Sequence, residues 1–221
     1  MHNSLNNLIE IQKEIQLKIK EIKDSSKPLR IVAVSKTHPM SSILPLINHG
    51  HLDFGENKVQ EAIDKWTSIK SDFNHLNIHM IGKLQSNKVK QAVSLFDYIH
   101  SVDNLKLAEK ISVEEIKQNK KVKLFIQINI GDEPQKSGVS LSNIDKFYSQ
   151  CVNDLGLDIV GFMCLPPNDD KISSYFLKMQ NLKIEFNIPE LSMGMSNDYL
   201  EAVKFNSTFL RIGSKIFGKR N

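Results

Sequence analysis

The architecture is set by the segment Leu29-Arg30-Ile31-Val32-Ala33-Val34-Ser35-Lys36, which is followed at once by Thr37-His38-Pro39 and a helical pattern. A run of β-branched residues without polar alternation predicts a strand buried on both faces of a parallel sheet. The carboxyl ends of such strands form the ligand-binding side of α/β folds. An amine held there in a partly dry pocket loses its proton readily and becomes a nucleophile towards aldehydes. Lys36 is therefore a candidate Schiff-base lysine, and the alternative is a strand-end lysine that points into solvent.

Outward from this segment, short apolar runs alternate with helical patterns along the chain. We predict strands at residues 31–35, 52–54, 78–81, 98–101, 122–130, 158–164, 190–194 and 208–213. Helices are predicted at residues 41–48, 58–68, 88–95, 105–117, 144–153, 173–183 and 199–205. Eight strands with seven intervening helices favour a single TIM-type (β/α)8 barrel, although strict alternation also fits an open doubly wound sheet.

An extra amphipathic helix is predicted before the first strand. One of its faces is apolar at steps of three and four residues, and the other is basic and solvated. The apolar positions are Leu8, Ile11, Ile15, Ile19 and Ile22, and the basic positions are Lys13, Lys18, Lys20, Lys23 and Lys27. The chain ends soon after the eighth strand, which leaves no room for a full eighth helix. We expect the N-terminal helix to cover that flank of the barrel.

Composition limits the classes of protein that remain. The 221 residues are 40% hydrophobic and contain no repeat or linker, so we predict one domain over residues 1–221 without a second β domain. The net charge of +4 is spread along the chain with few aromatic residues among the lysines, which predicts no nucleic-acid partner. No apolar stretch has the length of a membrane span or resembles a signal peptide. Cys151 and Cys164 form no disulfide framework, so a cytoplasmic location is expected, and no metal site is predicted.

Two loops near the end of the chain are candidates for binding a phosphate. TIM barrels commonly bind phosphate with the loops that follow strands seven and eight. Met195-Ser196-Asn197-Asp198 precedes a predicted helix whose cap we expect to be Ser196 or Asn197. Gly213-Ser214 offers a second close backbone approach and a hydroxyl group. Each signal is also ordinary turn chemistry when it is taken alone.

Lys36 and Arg211 indicate what kind of phosphate compound these two loops could bind. Arg211 shares a strand face with Gly213 by the period of two residues. A lysine across the barrel mouth from a two-loop phosphate site is the layout that a phosphorylated aldehyde cofactor requires. The combination favours the functional interpretation of Lys36.

Six segments together resemble the pyridoxal phosphate homeostasis protein family. They are Ala33-Val34-Ser35-Lys36-Thr37, Phe54-Gly55-Glu56-Asn57, Ile81-Gly82-Lys83-Leu84-Gln85-Ser86-Asn87-Lys88, Lys136-Ser137-Gly138, Leu191-Ser192-Met193-Gly194-Met195-Ser196 and Arg211-Ile212-Gly213-Ser214-Lys215-Ile216-Phe217-Gly218. The match covers nearly the whole chain in order. That family in turn resembles the barrel domain of alanine racemase.

The resemblance implies a barrel that carries pyridoxal 5'-phosphate as an internal aldimine, without an established turnover, and that governs supply of this cofactor. By motif position, Lys36 would form the aldimine, Asn57 would lie beside the ring, and Arg211 would face the pyridine nitrogen. The phosphate would be held by Met195, Ser196, Gly213 and Ser214. Recipients of the cofactor would be apoenzymes that depend on it. The chain departs from the family pattern at His38, where a second lysine is frequent, at Lys58, where an aromatic is common, and at Ser214, where threonine is usual.

Arg211 bears on whether the chain is a carrier or an enzyme. A permanent cation at the ring nitrogen keeps that nitrogen neutral and weakens the ring as an electron sink, which disfavours most carbanion chemistry. A non-catalytic storage or delivery protein is therefore the first hypothesis. A small amino-acid racemase or lyase that uses pyridoxal phosphate is the alternative. A Schiff-base aldolase that uses Lys36 on a sugar phosphate is a third hypothesis.

Overall fold

The chain folds into a closed barrel of parallel strands surrounded by helices. The structure, a computed structural model, describes residues 3–22, 29–133 and 135–218. The strands in this part of the chain are β1 Arg30–Val34, β2 Asp53–Glu56, β3 Asn77–Met80, β4 Tyr98–Val102, β5 Lys123–Ile128, β6 Ile159–Cys164, β7 Glu190–Ser192 and β8 Phe209–Ile212. They follow one another around the barrel in chain order, and β8 pairs with β1 to close it. The predicted (β/α)8 barrel is confirmed, and the open sheet is wrong.

Helices lie between the strands as expected. In the described part of the chain they are α1 Asn3–Ile22, α2 Met40–Asn48, α3 Val59–Asp72, α4 Val89–Leu95, α5 Leu105–Gln118, α6 Ile144–Ser149, α7 Ile172–Glu185, α8 Tyr199–Lys204 and α9 Ser214–Phe217. None of these helices combines the length and the apolar composition that crossing a lipid bilayer requires.

Several element boundaries differ from the sequence prediction. β2 runs two residues further than expected, because Gly55 and Glu56 pair with β3 instead of forming a turn. A Cβ atom at Gly55 would lie 2.9 Å from Cγ1 of Val32, so the neighbouring strand already fills that space. The helix predicted over residues 144–153 is α-helical only over Ile144–Ser149, which is α6, and a π-helical turn follows over Gln150–Asp154. After β8 the chain forms the single turn α9.

Apolar side chains fill two layers, one inside the barrel and one around it. The inner cluster consists of Val32, Tyr98, Phe125, Met163 and Phe209. A larger outer cluster lies between the strands and the helices. The two layers follow from the alternation of side chains along each strand. Because the interior is packed with side chains, a ligand site is expected at the carboxyl ends of the strands, where the loops leave the barrel.

Helix α1 covers the flank that the short α9 leaves open, as predicted. Leu8, Ile11 and Ile15 are buried, and the helix packs against α2, α8 and α9. Asn7 Nδ2 donates to the backbone carbonyl of Ile216 at 2.9 Å, and Ser4 Oγ donates to that of Ser42 at 2.9 Å. Each buried leucine or isoleucine contributes about 1.5 to 3 kcal/mol to stability. The predicted basic positions Lys23 and Lys27 lie outside the described residues.

Candidate functional site

A cavity of about 550 Å³ opens among the loops at the carboxyl ends of β1, β2, β3, β6, β7 and β8. Its volume is in the range of small-molecule and cofactor sites. Seven residues that the sequence singled out line it, namely Lys36, Asn57, Met195, Ser196, Arg211, Gly213 and Ser214. The structure therefore brings all seven together. Their individual roles in binding remain predictions.

The backbone that leads into Lys36 is held by buried polar contacts. Ser35 is fully buried, and its Oγ donates to Oε1 of Glu56 at 2.8 Å. The Lys65 ammonium donates to the backbone carbonyl of Ser35 at 2.9 Å. These two contacts fix the chain one residue before Lys36.

Glu56 is the centre of this support. Its carboxylate is fully buried, and Oε1 also accepts from Lys65 Nζ at 2.9 Å and from Trp66 Nε1 at 3.0 Å. Its Oε2 has no hydrogen-bond partner among the residues described. Lys65 and Trp66 are not among the residues predicted from the sequence. The available signal was the Glu61–Lys65 pair at helical spacing beside a strand that ends in an acidic residue.

The turn after Lys36 is strained. Thr37 has φ of 64°, in the left-handed region that a β-branched residue rarely adopts. Its backbone N–H donates to the Glu61 carboxylate. Such a conformation costs about 1 to 3 kcal/mol and persists only where the surroundings fix it. The surroundings of Lys36 are thus held in place from both sides.

Asn57 presents a buried acceptor at the cavity wall. Its Oδ1 has no hydrogen-bond partner within the described ranges. The loop after β3 packs directly on its backbone, since a Cβ atom at Gly82 would lie 2.4 Å from the Asn57 carbonyl oxygen. Ser101 Oγ donates to the Gly82 carbonyl at 2.7 Å and fixes that loop. Glycine at position 82 is therefore required for this close approach.

The loop after β7 forms a tight turn. Gly194 has φ of 92°, and a Cβ atom there would lie 2.6 Å from Cβ of Ala202, so only glycine fits. The backbone N–H of Met195 donates to Oδ1 of Asp198 at 2.5 Å. Helix α8 begins at Tyr199 with Asp198 at its N-cap, and no side chain caps it. The predicted cap at Ser196 or Asn197 is wrong, because the turn occupies residues 195–198.

The two predicted phosphate loops are joined to each other. The backbone N–H of Lys215 donates to Ser196 Oγ at 3.3 Å. The N–H groups of Ser196, Asn197 and Ser214 have no acceptor in the part of the chain that the structure describes. Backbone N–H groups without an acceptor, on residues that line one cavity, suit an anion. The Asp198 carboxylate also lines the cavity, with Oδ1 engaged by the Met195 N–H.

Arg211 lies buried at the floor of the cavity. Its NH1 donates to Ser192 Oγ at 2.5 Å, and its NH2 donates to the Cys164 carbonyl at 2.8 Å. Burial lowers the pKa of Arg211, and Cys164 and Asp198 oppose that shift. A guanidinium group nevertheless stays charged in proteins. Burial raises the pKa of the Cys164 thiol to about 12, so this thiol is neutral.

Below Arg211 the barrel interior holds a group of polar side chains that is not predicted from the sequence. They are Ser192, His100, His79 and Asp53, all buried. The alternation of inward and outward positions along β2, β3, β4 and β7 was the signal for them. No group of three or more metal-ligating side chains is found within the residues described.

The barrel and its cavity define a known class of domain. The family model described as "Alanine racemase, N-terminal domain" matches residues 12–221. The pyridoxal phosphate homeostasis protein of Haemophilus influenzae is 35% identical over 229 residues, which cover 99% of this chain and 97% of the relative. The protein of the same name from Escherichia coli K12 is 32% identical and covers 100% of this chain and 98% of its own. The chain belongs to the alanine racemase N-terminal domain family and, within it, to the pyridoxal phosphate homeostasis proteins.

A solved structure agrees with this assignment. PipY of Synechococcus elongatus, whose structure has pyridoxal phosphate bound, matches with a TM-score of 0.80 and 32% sequence identity. The match covers 92% of this chain and 100% of PipY. The resemblance inferred from the sequence motifs is confirmed.

Proposed function

We propose that this chain is a non-catalytic protein of pyridoxal phosphate homeostasis, which binds pyridoxal 5'-phosphate in the cavity for storage or delivery. The observation that carries the proposal is that Lys36 and residues of both phosphate loops line one cavity, and that three of those loop residues have backbone N–H groups without an acceptor in the described part of the chain. The cofactor bound by PipY and the names of the two relatives support the same ligand. When bound, pyridoxal phosphate supplies an aldehyde that condenses with a lysine amine and releases water.

Each lining residue has a distinct proposed task. Lys36 provides the amine, and the supported backbone at Ser35 keeps that amine at the barrel mouth. Asn57 lies beside the ring and offers its unsatisfied Oδ1.

The phosphate is held by the loops that follow β7 and β8. Ser196, Gly213 and Ser214 supply backbone N–H and hydroxyl donors. The Met195 N–H is engaged by Asp198, so we propose that Met195 contributes by shaping the turn.

Arg211 supports a carrier over an enzyme. Its guanidinium is anchored by Ser192 and Cys164 and faces the cavity, where we propose that it meets the ring nitrogen. A permanent cation there keeps the nitrogen unprotonated and weakens the ring as an electron sink.

Apoenzymes that depend on pyridoxal phosphate are the proposed recipients. A cytoplasmic location is part of the proposal, since Cys151 and Cys164 are both buried thiols without a disulfide.

Labelling of the lysine tests the proposal directly. The purified protein is mixed with pyridoxal phosphate, its visible absorbance is recorded, and borohydride reduction is followed by peptide mapping. We expect one reduced adduct, on Lys36, and none in the Lys36→Ala variant. Lys83→Ala is the matched control, because Lys83 is an exposed lysine on the loop after β3, and it should label like the unchanged protein. An adduct on Lys83, Lys136 or Lys215 would overturn the assignment of Lys36, and the absence of any adduct would overturn the proposed function.

Turnover separates the carrier from the alternative racemase or lyase. The protein loaded with pyridoxal phosphate is incubated with single amino acids, and enantiomer ratios and decarboxylation are followed. We expect no reaction at ordinary enzyme rates, on the order of one per second or more. Turnover at that rate would show that the protein is an enzyme and would overturn the proposed carrier function.

A further inference from the structure

A chain of hydrogen bonds runs through the barrel interior from the floor of the cavity to the amino ends of the strands. Arg211 NH1 lies 2.5 Å from Ser192 Oγ, which lies 2.8 Å from His100 Nδ1. His100 Nε2 lies 3.0 Å from His79 Nδ1, and His79 Nε2 lies 3.0 Å from Asp53 Oδ1. The members come from β8, β7, β4, β3 and β2, so the chain exists only because the barrel is closed.

The Asp53 end of this chain fixes the direction of its bonds when both histidines are neutral. The carboxylate only accepts, so His79 carries a proton on Nε2 and donates it to Asp53. A neutral His79 then accepts at Nδ1 from Nε2–H of His100, and a neutral His100 accepts at Nδ1 from the Ser192 hydroxyl. Ser192 Oγ in turn accepts from Arg211, whose guanidinium group can only donate. Two neutral histidines in this chain are therefore both in the Nε2–H tautomer.

The surroundings favour these neutral forms. His79 stacks on Tyr98 with ring centroids 4.4 Å apart, and His100 stacks on Phe125 at 4.3 Å. Burial lowers the pKa of His79 against the opposing influence of Asp53. For His100, burial, His79 and Arg211 all act to hold the pKa well below its ordinary value. A second proton on His79 would also set two N–H groups against each other at 3.0 Å in this arrangement.

The far end of the chain is anchored. Asp53 Oδ1 also accepts from Asn77 Nδ2 at 3.1 Å, and Arg30 NH1 lies 3.9 Å away. Burial by itself would raise the pKa of Asp53, but the hydrogen bond from His79 and the charge of Arg30 bring it below its ordinary value. The carboxylate therefore stays ionised and keeps its role as the final acceptor.

We infer that His100 and His79 are positioning residues that orient Arg211 through Ser192, and that both act as neutral Nε2–H tautomers. The inference rests on the proposed function for the identity of the group that Arg211 faces. With NH1 and NH2 each bonded to a strand residue of the barrel, the guanidinium plane is fixed where Arg211 lines the cavity. The orientation of Arg211 is thus fixed by strand residues of the barrel and not by the loops of the cavity mouth.

Nitrogen NMR of the histidine rings in the cofactor-free, 15N-labelled protein tests the tautomers without any substitution. We expect the rings of His79 and His100 to be protonated on Nε2 alone and not to titrate between about pH 5 and 8. A proton on Nδ1 of either ring, or titration of either ring in that range, would overturn the inference. Because this measurement involves no cofactor, its outcome is independent of whether pyridoxal phosphate binds.

Two variants at position 100 test the positioning role. Glutamine can accept from Ser192 and donate to His79, whereas leucine can do neither. In His100→Leu we expect the side-chain N–H signals of Arg211 to exchange faster with water and the affinity for pyridoxal phosphate to fall about tenfold, the equivalent of one lost hydrogen bond. His100→Gln should restore both readouts. Unchanged Arg211 signals in a folded His100→Leu protein would refute the positioning role. So would a His100→Gln protein in which neither the Arg211 signals nor the affinity is restored. If His100→Leu does not fold, the tautomers of the two histidine rings decide the question.

Discussion

The Lys65 ammonium and the backbone carbonyl of Ser35 are joined by a hydrogen bond of 2.9 Å, which links helix α3 to the end of β1 one residue before Lys36. The same ammonium lies 2.9 Å from the buried Glu56 carboxylate. The position of Lys36 therefore depends on an ion pair that is almost closed to water. The Lys65 side chain is 12% exposed and that of Glu56 is 0% exposed.

Replacing Lys65 by methionine should destabilise the protein strongly. The change leaves the buried Glu56 carboxylate without its cation, and breaking one side of a buried pair costs about 3 to 5 kcal/mol. Urea unfolding measures the loss. Lys117→Met is the control, because Lys117 is 64% exposed and pairs with Glu114 at 3.5 Å, and it should change the free energy of unfolding by about 0.5 kcal/mol or less. Equal losses in the two variants would show that Glu56 does not depend on Lys65.

The phosphate group should dominate noncovalent affinity for the cofactor. Two or more charge-assisted hydrogen bonds of about 1.5 to 3 kcal/mol each imply a preference of at least about a hundredfold for pyridoxal phosphate over pyridoxal. Ser196→Ala combined with Ser214→Ala should weaken binding but leave the visible absorbance at saturation unchanged. Titrations with both ligands measure this. The control is Ser68→Ala combined with Ser71→Ala, which changes two exposed serines on α3. Similar affinities of the unchanged protein for pyridoxal phosphate and pyridoxal would mean that the phosphate site is misplaced.

The fold could be predicted because β1, β5 and β6 carry apolar runs of their own and helical patterns alternate with the strands. The end of β2 was missed, since Gly55-Glu56 has the composition of a turn and becomes a strand only through pairing with β3. The cavity residues could be predicted from their places at strand ends. The contact between Ser192 and His100 could not, because β7 and β4 are not neighbours and their side chains meet only across a closed interior.

Replacing Gly82 by alanine should displace Asn57. The new Cβ atom would lie 2.4 Å from a backbone oxygen, which cannot move away as a flexible side chain could. We expect a loss of about 1 to 3 kcal/mol in the free energy of unfolding, as for other overpacked sites, together with weaker binding of pyridoxal phosphate. Asn57→Ala is the comparison, because it removes the side chain without moving the backbone and should weaken binding with a smaller loss of stability. Equal stability of Gly82→Ala and the unchanged protein would contradict the close approach.

The stability of the protein should fall below neutral pH partly through His100. Its pKa is depressed in the folded state from an ordinary value of 6.5, by burial, His79 and Arg211. The contribution of His100 to the free energy of unfolding is therefore complete above about pH 6.5. It is lost as the pH falls towards the pKa of the folded state, because in that range the unfolded chain binds a proton at His100 and the folded chain does not. Glutamine cannot take up that proton. In His100→Gln the slope of unfolding free energy between about pH 6 and 5 should be smaller by about 1 kcal/mol per pH unit, measured by urea unfolding at each pH. Parallel slopes for the two proteins would show that His100 titrates normally.

The one-way order of the hydrogen bonds inside the barrel also restricts which sequences can replace this one. A carboxylate at position 211 would need to accept from Ser192, so the hydroxyl would turn around and His100 would have to donate from Nδ1. His79 would then have to donate from Nδ1 as well. A neutral His79 would turn its bare Nε2 towards the Asp53 carboxylate, acceptor against acceptor, at 3.0 Å, so His79 would need a second proton in the buried interior. A single substitution at the cavity floor therefore changes the protonation that is required at the far end of the barrel. A descendant of this protein that acquired a protonated ring nitrogen, and with it carbanion chemistry, would have to accommodate that buried charge or change further interior residues.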